Sequence, residues 1–148
     1  MHPFDLKTVL LARHAQHVAL VHFPIALFIA GVLFDVLWQW TGRQSFADAA
    51  YYDLLGAAVT SIPVVVTGLI AWQWALEGQR LKGILLLHLS GALASTVMIW
   101  LVWFMHWRMR RRDASPPGYR LPLQIAAVLV VGTTAHLGGF LSGVNLPS

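Results

Sequence analysis

Four long apolar stretches dominate the sequence and restrict what the chain can fold into. They run over about residues 18–40, 53–76, 82–107 and 121–142. A helix needs roughly 20 apolar residues to cross a hydrocarbon core of about 30 Å. Since backbone groups cannot stay unpaired in lipid, helices are the spanning form for segments of this length. The short connections predict an all-α integral membrane protein, an antiparallel up-down-up-down bundle of four transmembrane helices in one domain, residues 1–148.

The charge content agrees with lipid as the solvent of this chain. Only 11% of the residues are charged and the mean hydropathy is +0.65, whereas a soluble domain carries about 25% charged residues. The chain also has no cysteine. It therefore forms no disulfide and binds no Cys-ligated zinc, iron–sulfur cluster or Cys-linked haem. Any cofactor must be bound by other groups, and the seven histidines are the main candidates.

Basic residues at the span ends predict the orientation. The segment from Met1 to His17 is expected to be a short interfacial helix rather than a cleaved signal. Four Lys and Arg residues flank one end of the spans and six flank the other, five of these between Arg108 and Arg120. The positive-inside rule places the second end in the cytoplasm. We therefore expect a multi-pass protein of the bacterial inner (cytoplasmic) membrane with both termini periplasmic.

Histidines gather at one end of the predicted bundle. His22 lies about one turn inside the first span, and His88 about a turn and a half inside the third. His136 lies about a turn and a half before the end of the fourth, so at about 1.5 Å per residue all three share one depth. His17 lies just outside this depth. An ionisable residue inside a span indicates a functional site, and imidazoles on facing helices ligate haem iron.

This arrangement predicts one haem b, or two. His88 and either His22 or His136 are the expected axial ligands, while His17 and the remaining imidazole bind a second haem or the propionates. Small residues at this depth leave room for a flat macrocycle, and they also serve close helix packing in membranes. A cofactor-free scaffold or anchor subunit is therefore the alternative, and zinc or copper a further one. The small residues are Gly91, Gly132, Gly139, Thr67 and Gly68.

Two further ionisable residues fall near the other end of the bundle. Asp35 is expected to be an ion-paired carboxylate, with Arg43 or Arg108 as its partner, and no second ionisable group is expected beside it deep in the bundle. His106 has no histidine partner at its end. Electron transfer across the whole membrane by this chain alone is therefore not predicted.

Several short motifs follow one another in the order found in one bacterial membrane family. Residues 17–27 read HVALVHFPIAL, and LFD, TGL and LGG occur at residues 33–35, 67–69 and 137–139. They resemble domain of unknown function 2231, a family of four-helix membrane proteins whose first motif reads HPxxVHFPIAL. Val18 replaces the proline of that motif. Phe140 stands where many members have histidine, with His136 one turn earlier on the same helical face.

The resemblance implies electron transfer, because family members are often fused to, or encoded beside, Rieske-type or c-type cytochrome domains. We expect a b-type-haem electron-transfer subunit at the periplasmic face of a larger respiratory or dehydrogenase complex, without independent catalysis. The expected partners are the lipid bilayer, other membrane subunits, and a c-type cytochrome or Rieske-type protein. Quinone is a further candidate, with an outer histidine accepting the proton of quinol. Nucleic acid is not expected, since the basic run beside a span end is a topology determinant.

Overall fold

The computed structural model describes residues 15–112 and 115–142, and the regular structure within these residues is all helical. The predicted interfacial segment lies almost entirely outside the described residues. The helices are, in order, α1 (Ala15–Leu20), α2 (His22–Thr41), α3 (Gln44–Ala75), α4 (Gly83–Arg112) and α5 (Arg120–Leu141).

Four helical stretches are long and apolar enough to cross a membrane, which confirms the predicted fold class. Many of their large apolar side chains point outward. Phe23, Leu33 and Leu129, for example, are 58%, 59% and 63% exposed, as expected where lipid surrounds the helices. The four stretches are Gln16–Thr41, Gln44–Trp74, Gly83–Arg112 and Arg120–Leu141.

Consecutive helices pack side by side in the bundle. The pairs α2–α3, α3–α4 and α4–α5 are neighbours, and α2 also touches α5. A small apolar core lies between them, with Phe28, Leu54 and Val102 fully buried. Gly31 allows α2 and α3 to approach closely, because a Cβ atom there would lie 2.9 Å from the Cγ of Leu54. The core occupies the middle of the bundle and leaves polar groups at both ends.

Two helix boundaries differ from the predicted spans. Helix α3 begins at Gln44 rather than near residue 53, so most of the predicted connection from Thr41 to Tyr52 is helical. Helix α2 ends where Gly42 adopts a left-handed conformation and donates to the Trp38 carbonyl at 2.8 Å. Helix α4 continues to Arg112, beyond residue 107. Apolar patterning marks the part of a helix that lies in lipid. Helix α3 extends beyond that part because alanine, at positions 47, 49 and 50, favours a helix. Helix α4 extends beyond it because arginines stabilise the C-terminal end of a helix.

The two ends of the bundle differ chemically. One end, which we call the histidine end, is formed by α1, the beginnings of α2 and α4, and the last turns of α3 and α5. The opposite end, which we call the arginine end, contains the Arg110–Arg112 run and Arg120.

Candidate functional site

At the histidine end, the side chain of His17 on α1 contacts α3. Its Nδ1 lies 3.1 Å from the backbone oxygen of Val64 and 3.3 Å from the hydroxyl oxygen of Thr67. The ring also lies against Gly68, where a Cβ atom would come within 3.0 Å of its Cε1. Thr67 and Gly68 are therefore placed beside a histidine, as their depth in the sequence predicts.

His88 makes the equivalent contact between α4 and α5. Its Nδ1 lies 3.1 Å from the backbone oxygen of Thr134, and its Cε1 would lie 3.0 Å from a Cβ atom at Gly138. His17 and His88 are both partly buried. Each of these two imidazoles is held against a neighbouring helix at the histidine end.

The hydrogen bonds define the tautomer of these rings. A backbone carbonyl only accepts, so the Nδ1 of His17 and of His88 must carry the proton. A neutral imidazole has one N–H, so the lone pair then lies on Nε2. His22 has the same pattern, with its Nδ1 2.8 Å from the carbonyl oxygen of Val18. Among the described residues, none forms a hydrogen bond with the Nε2 of these three rings.

His22 and His136 lie on the outside of the bundle. Both side chains are exposed, and the ring of His136 packs edge-on against Phe140 with 4.9 Å between ring centres. Within residues 15–112 and 115–142, no group of three or more His, Asp or Glu side chains is arranged to hold a metal ion.

The predicted glycines differ in what surrounds them. Gly91 packs against α5, since a Cβ atom there would lie 2.5 Å from the hydroxyl oxygen of Thr134. That hydroxyl also accepts a hydrogen bond of 3.3 Å from Ser95. Gly132 faces open space, with no atom within 4 Å of a Cβ atom built on it. Gly139 lies next to Gly138, the residue that contacts the His88 ring.

A second polar site, not expected from the sequence, lies inside the arginine end. We call it the Asp35 cluster; its members are Asp35, His106, Arg120 and Gln124. Asp35 is fully buried, and its Oδ2 lies 3.2 Å from the Nε of Arg120 and 3.0 Å from the Nε2 of Gln124. Gln39 donates to the same oxygen at 3.2 Å. One carboxylate thus links α2 to the first turn of α5.

The expected partners of Asp35 were therefore wrong. Neither Arg43 nor Arg108 pairs with it; Arg120, itself only 3% exposed, does. A second ionisable group also lies beside it, since the Nε2 of His106 is 3.8 Å from its Oδ1. Arg120 begins α5, whose start packs inside the bundle, whereas Arg43 and Arg108 are exposed.

His106 differs from the other histidines in its hydrogen bonding. The Gln124 side-chain nitrogen faces a carboxylate, so it must be the donating amide nitrogen, and it lies 3.1 Å from the His106 Nε2. The Nε2 of His106 therefore accepts this bond and has no lone pair left for a metal. His106 lies at a site built for packing rather than for ligation.

The Asp35 cluster retains unused hydrogen-bonding capacity beside a cavity. The buried Oδ1 of Asp35, Oε1 of Gln124 and Nη1 of Arg120 have no hydrogen-bond partner among the described residues. A cavity of about 430 Å³ adjoins the cluster and is lined by Trp38, Gln39, Pro116 and Arg120. The Arg120 guanidinium lies 4.9 Å above the Trp38 ring, which stabilises its charge.

Four helices long and apolar enough to span a membrane, with ionisable clusters near the two ends of the bundle, define a multi-span helical membrane protein. A family model described as predicted membrane protein (DUF2231) matches residues 13–144. The chain belongs to this family, in agreement with the resemblance of its motifs. Comparison with curated proteins and with solved structures gave no match.

Proposed function

We propose that the chain is a membrane-embedded electron-transfer subunit that binds b-type haem at its histidine end. The observation that carries the proposal is the pair of Nδ1–carbonyl hydrogen bonds of His17 and His88. Histidines that ligate metals generally donate their other ring N–H to a carbonyl or carboxylate, which fixes the tautomer and raises the basicity of the ligating nitrogen. Both rings have this arrangement in the structure.

His17 and His88 are the residues that would hold the haem iron. They lie on different helices, and a carbonyl of α3 orients His17 while a carbonyl of α5 orients His88. This choice replaces the pairing of His88 with His22 or His136, since both of those side chains lie exposed on the outside of the bundle. His22 and His136 remain candidates for a second haem or for the propionates.

Haem iron suits the available ligand set better than a bare metal ion does. Structural zinc takes four protein ligands and catalytic zinc three, and no group of three is arranged for this among residues 15–112 and 115–142. The macrocycle itself supplies the remaining ligands of haem iron, so one or two imidazoles are enough.

The residues at the histidine end would hold the group and set its surroundings. Haem iron, once bound, supplies one-electron transfer. Gly68 and Gly138 allow the two rings to approach the neighbouring helices closely, because a Cβ atom at either position would lie 3.0 Å from the imidazole. The carbonyls of Val64 and Thr134 keep the rings from rotating.

The proposed location is the bacterial inner (cytoplasmic) membrane, with the histidine end and both termini periplasmic. Arg120 is buried with Asp35, so the residues that favour a cytoplasmic arginine end are Arg43, Arg108 and Arg110 to Arg112. At the periplasmic face, a larger respiratory or dehydrogenase complex with a c-type cytochrome or Rieske-type protein would exchange electrons with the haem. A reporter fused after Arg112 tests this: activity of a periplasmic-only reporter there contradicts the orientation.

A cofactor-free scaffold is the second candidate, favoured by one observation. The Nδ1 bonds of His17 and His88 join different helices, and such interhelical bonds also serve packing in membranes. Under this alternative the Nε2 atoms have no ligand to bind.

Haem content of matched histidine variants separates the two candidates. We expect wild-type protein from haem-replete cells to contain low-spin haem. His88→Ala and His17→Ala should lose the low-spin signal, whereas His106→Ala should retain it. The reason is that the His106 Nε2 already accepts from Gln124. The measurement is the pyridine-haemochrome assay together with electron paramagnetic resonance. Equal spectra for His88→Ala and His106→Ala would contradict the assignment.

A further inference from the structure

A basic cleft lies at the arginine end between the beginning of α3 and the end of α4. Its volume is about 300 Å³, and its walls are Tyr51, Trp107, Arg110 and Arg111. This volume is at the lower end of the roughly 300–1,000 Å³ typical of small-ligand sites. Aromatic and guanidinium groups thus line one open cleft near the end of the spanning helices.

Both guanidinium groups are held in place by aromatic rings. Arg110 lies 4.8 Å from the ring centre of Tyr51 and 5.7 Å from that of Tyr52. Arg111 lies 5.2 Å from the ring centre of Trp107, one turn earlier on α4. A guanidinium oriented in this way presents a planar fork of donors to an anion, which suits phosphate.

Among the described residues, the cleft and its ion-pair partner Asp48 carry one net positive charge. Two arginines line it, and among the described residues Asp48 is the carboxylate that pairs with them, 2.8 Å from the Nη1 of Arg110. Arg111 has no such acidic partner within the described chain. One negative charge, as on a phosphodiester, would balance the site.

An apolar strip leads from the cleft toward the middle of the bundle. Phe104 stacks on Trp107 with 5.2 Å between ring centres. Phe104 and Leu101, 46% and 51% exposed, continue this strip along α4. A ligand with a phosphate head and an acyl chain would contact the cleft and the strip together, whereas free phosphate would contact the cleft alone.

We propose that the basic cleft binds the headgroup phosphate of an anionic phospholipid, with its acyl chain along Leu101 and Phe104. Arg111 is the main phosphate-binding residue, Arg110 forms the wall beside it, and Asp48 competes with the phosphate for Arg110. The site does not depend on haem binding at the other end.

Binding of short-chain lipids to the delipidated full-length protein in neutral detergent tests the proposal. We expect dihexanoyl phosphatidylglycerol to bind about fivefold more tightly than dihexanoyl phosphatidylcholine in native mass spectrometry, the difference that one cationic side chain contributes near an anionic surface. Arg111→Gln should remove this preference, Arg111→Lys should keep most of it, and Asp48→Asn should strengthen it.

Arg112→Gln is the matched control, because it removes the same charge from the same helical turn without lining the cleft. We expect it to leave the preference largely unchanged. Equal effects of Arg112→Gln and Arg111→Gln would overturn the proposal, as would equal binding of the two lipids. Displacement of the lipid by an equal concentration of inorganic phosphate would show a free-phosphate site and would also overturn it. Circular dichroism of each variant checks that it is folded.

Discussion

Histidine side chains at the histidine end and in the Asp35 cluster differ in their hydrogen bonding. At the histidine end, His17 and His88 donate through Nδ1 to carbonyls, and their Nε2 atoms face no protein partner among the described residues. In the Asp35 cluster, the Nε2 of His106 accepts a hydrogen bond from Gln124. Burial alone would rank His106 as the more important residue, since it is 5% exposed. Hydrogen bonding, rather than burial, distinguishes the candidate ligands His17 and His88 from His106, which packs inside the bundle.

The two regions also stabilise the bundle differently. The Asp35 cluster combines a buried carboxylate with a buried guanidinium, and removing either leaves a charge unpaired in a medium that solvates it poorly. The contacts at the histidine end are neutral hydrogen bonds and close approaches to glycine. We therefore expect the arginine end to determine the stability of the bundle and the histidine end to determine its chemistry.

The largest expected effect is that of Asp35→Ala. Loss of the carboxylate leaves Arg120 buried without its partner, which costs about 3–5 kcal/mol of unfolding free energy. Unfolding in mixed detergent micelles with increasing SDS measures this change. The double variant Asp35→Leu with Arg120→Met removes both charges and should recover most of the loss.

Asp48→Asn is the control for this prediction. It breaks the Arg110 ion pair, whose side chains are 47% and 41% exposed, and exposed pairs contribute only about 0–1 kcal/mol. If Asp35→Ala were no more destabilising than Asp48→Asn, the claim that the Asp35 cluster dominates stability would be wrong.

A smaller effect is expected from Gly91→Ala at the histidine end. The added methyl group would meet the Thr134 hydroxyl at 2.5 Å, and overpacking of this kind costs about 1–3 kcal/mol. Gly132→Ala is the matched control, because its Cβ atom meets nothing within 4 Å and should change stability by less than about 0.5 kcal/mol. Thermal unfolding of both variants followed by circular dichroism compares them; equal transition temperatures would contradict close packing at Gly91.

The smallest effect is expected from Ser95→Ala. This substitution removes the 3.3 Å hydrogen bond to Thr134, and such interhelical bonds in membranes contribute about 0.6 kcal/mol on average. The SDS titration used for Asp35→Ala measures it on the same scale. If Ser95→Ala lowered the free energy of unfolding as much as Asp35→Ala does, the expected difference in stability between the two ends would be wrong.

The sequence predicts the spans well and their ends poorly. Mean hydropathy follows the lipid-embedded part of each helix, so the four spans could be located. The helical start of α3 at Gln44 was missed because residues 44–52 are too polar to be counted as a span. The alanine content of residues 47–50 and the glycine at position 42, a residue that commonly ends a helix, were the sequence signals that could have corrected the boundary.

The Asp35 cluster was missed although the sequence contained a signal for it. Asp35 lies six residues before the end of α2, His106 six before the end of α4, and Gln124 four after the start of α5. Antiparallel helices bring these depths together, which is the reasoning that grouped the histidines. The depth of a residue along its helix does not show how the helix is rotated about its axis, and therefore whether the side chain faces the interior of the bundle. Arg120 therefore looked like a surface charge, and His136 was predicted as an axial ligand ahead of His17.

The central claim is that the histidine end binds haem, and the most direct test is a dithionite-reduced minus oxidised absorption spectrum of purified wild-type protein from haem-replete cells. If His17 and His88 hold the haem iron, the reduced form should show the sharp α-band of a low-spin b-type cytochrome. A spectrum without an α-band, together with no pyridine-haemochrome signal, would contradict the claim and favour the cofactor-free scaffold.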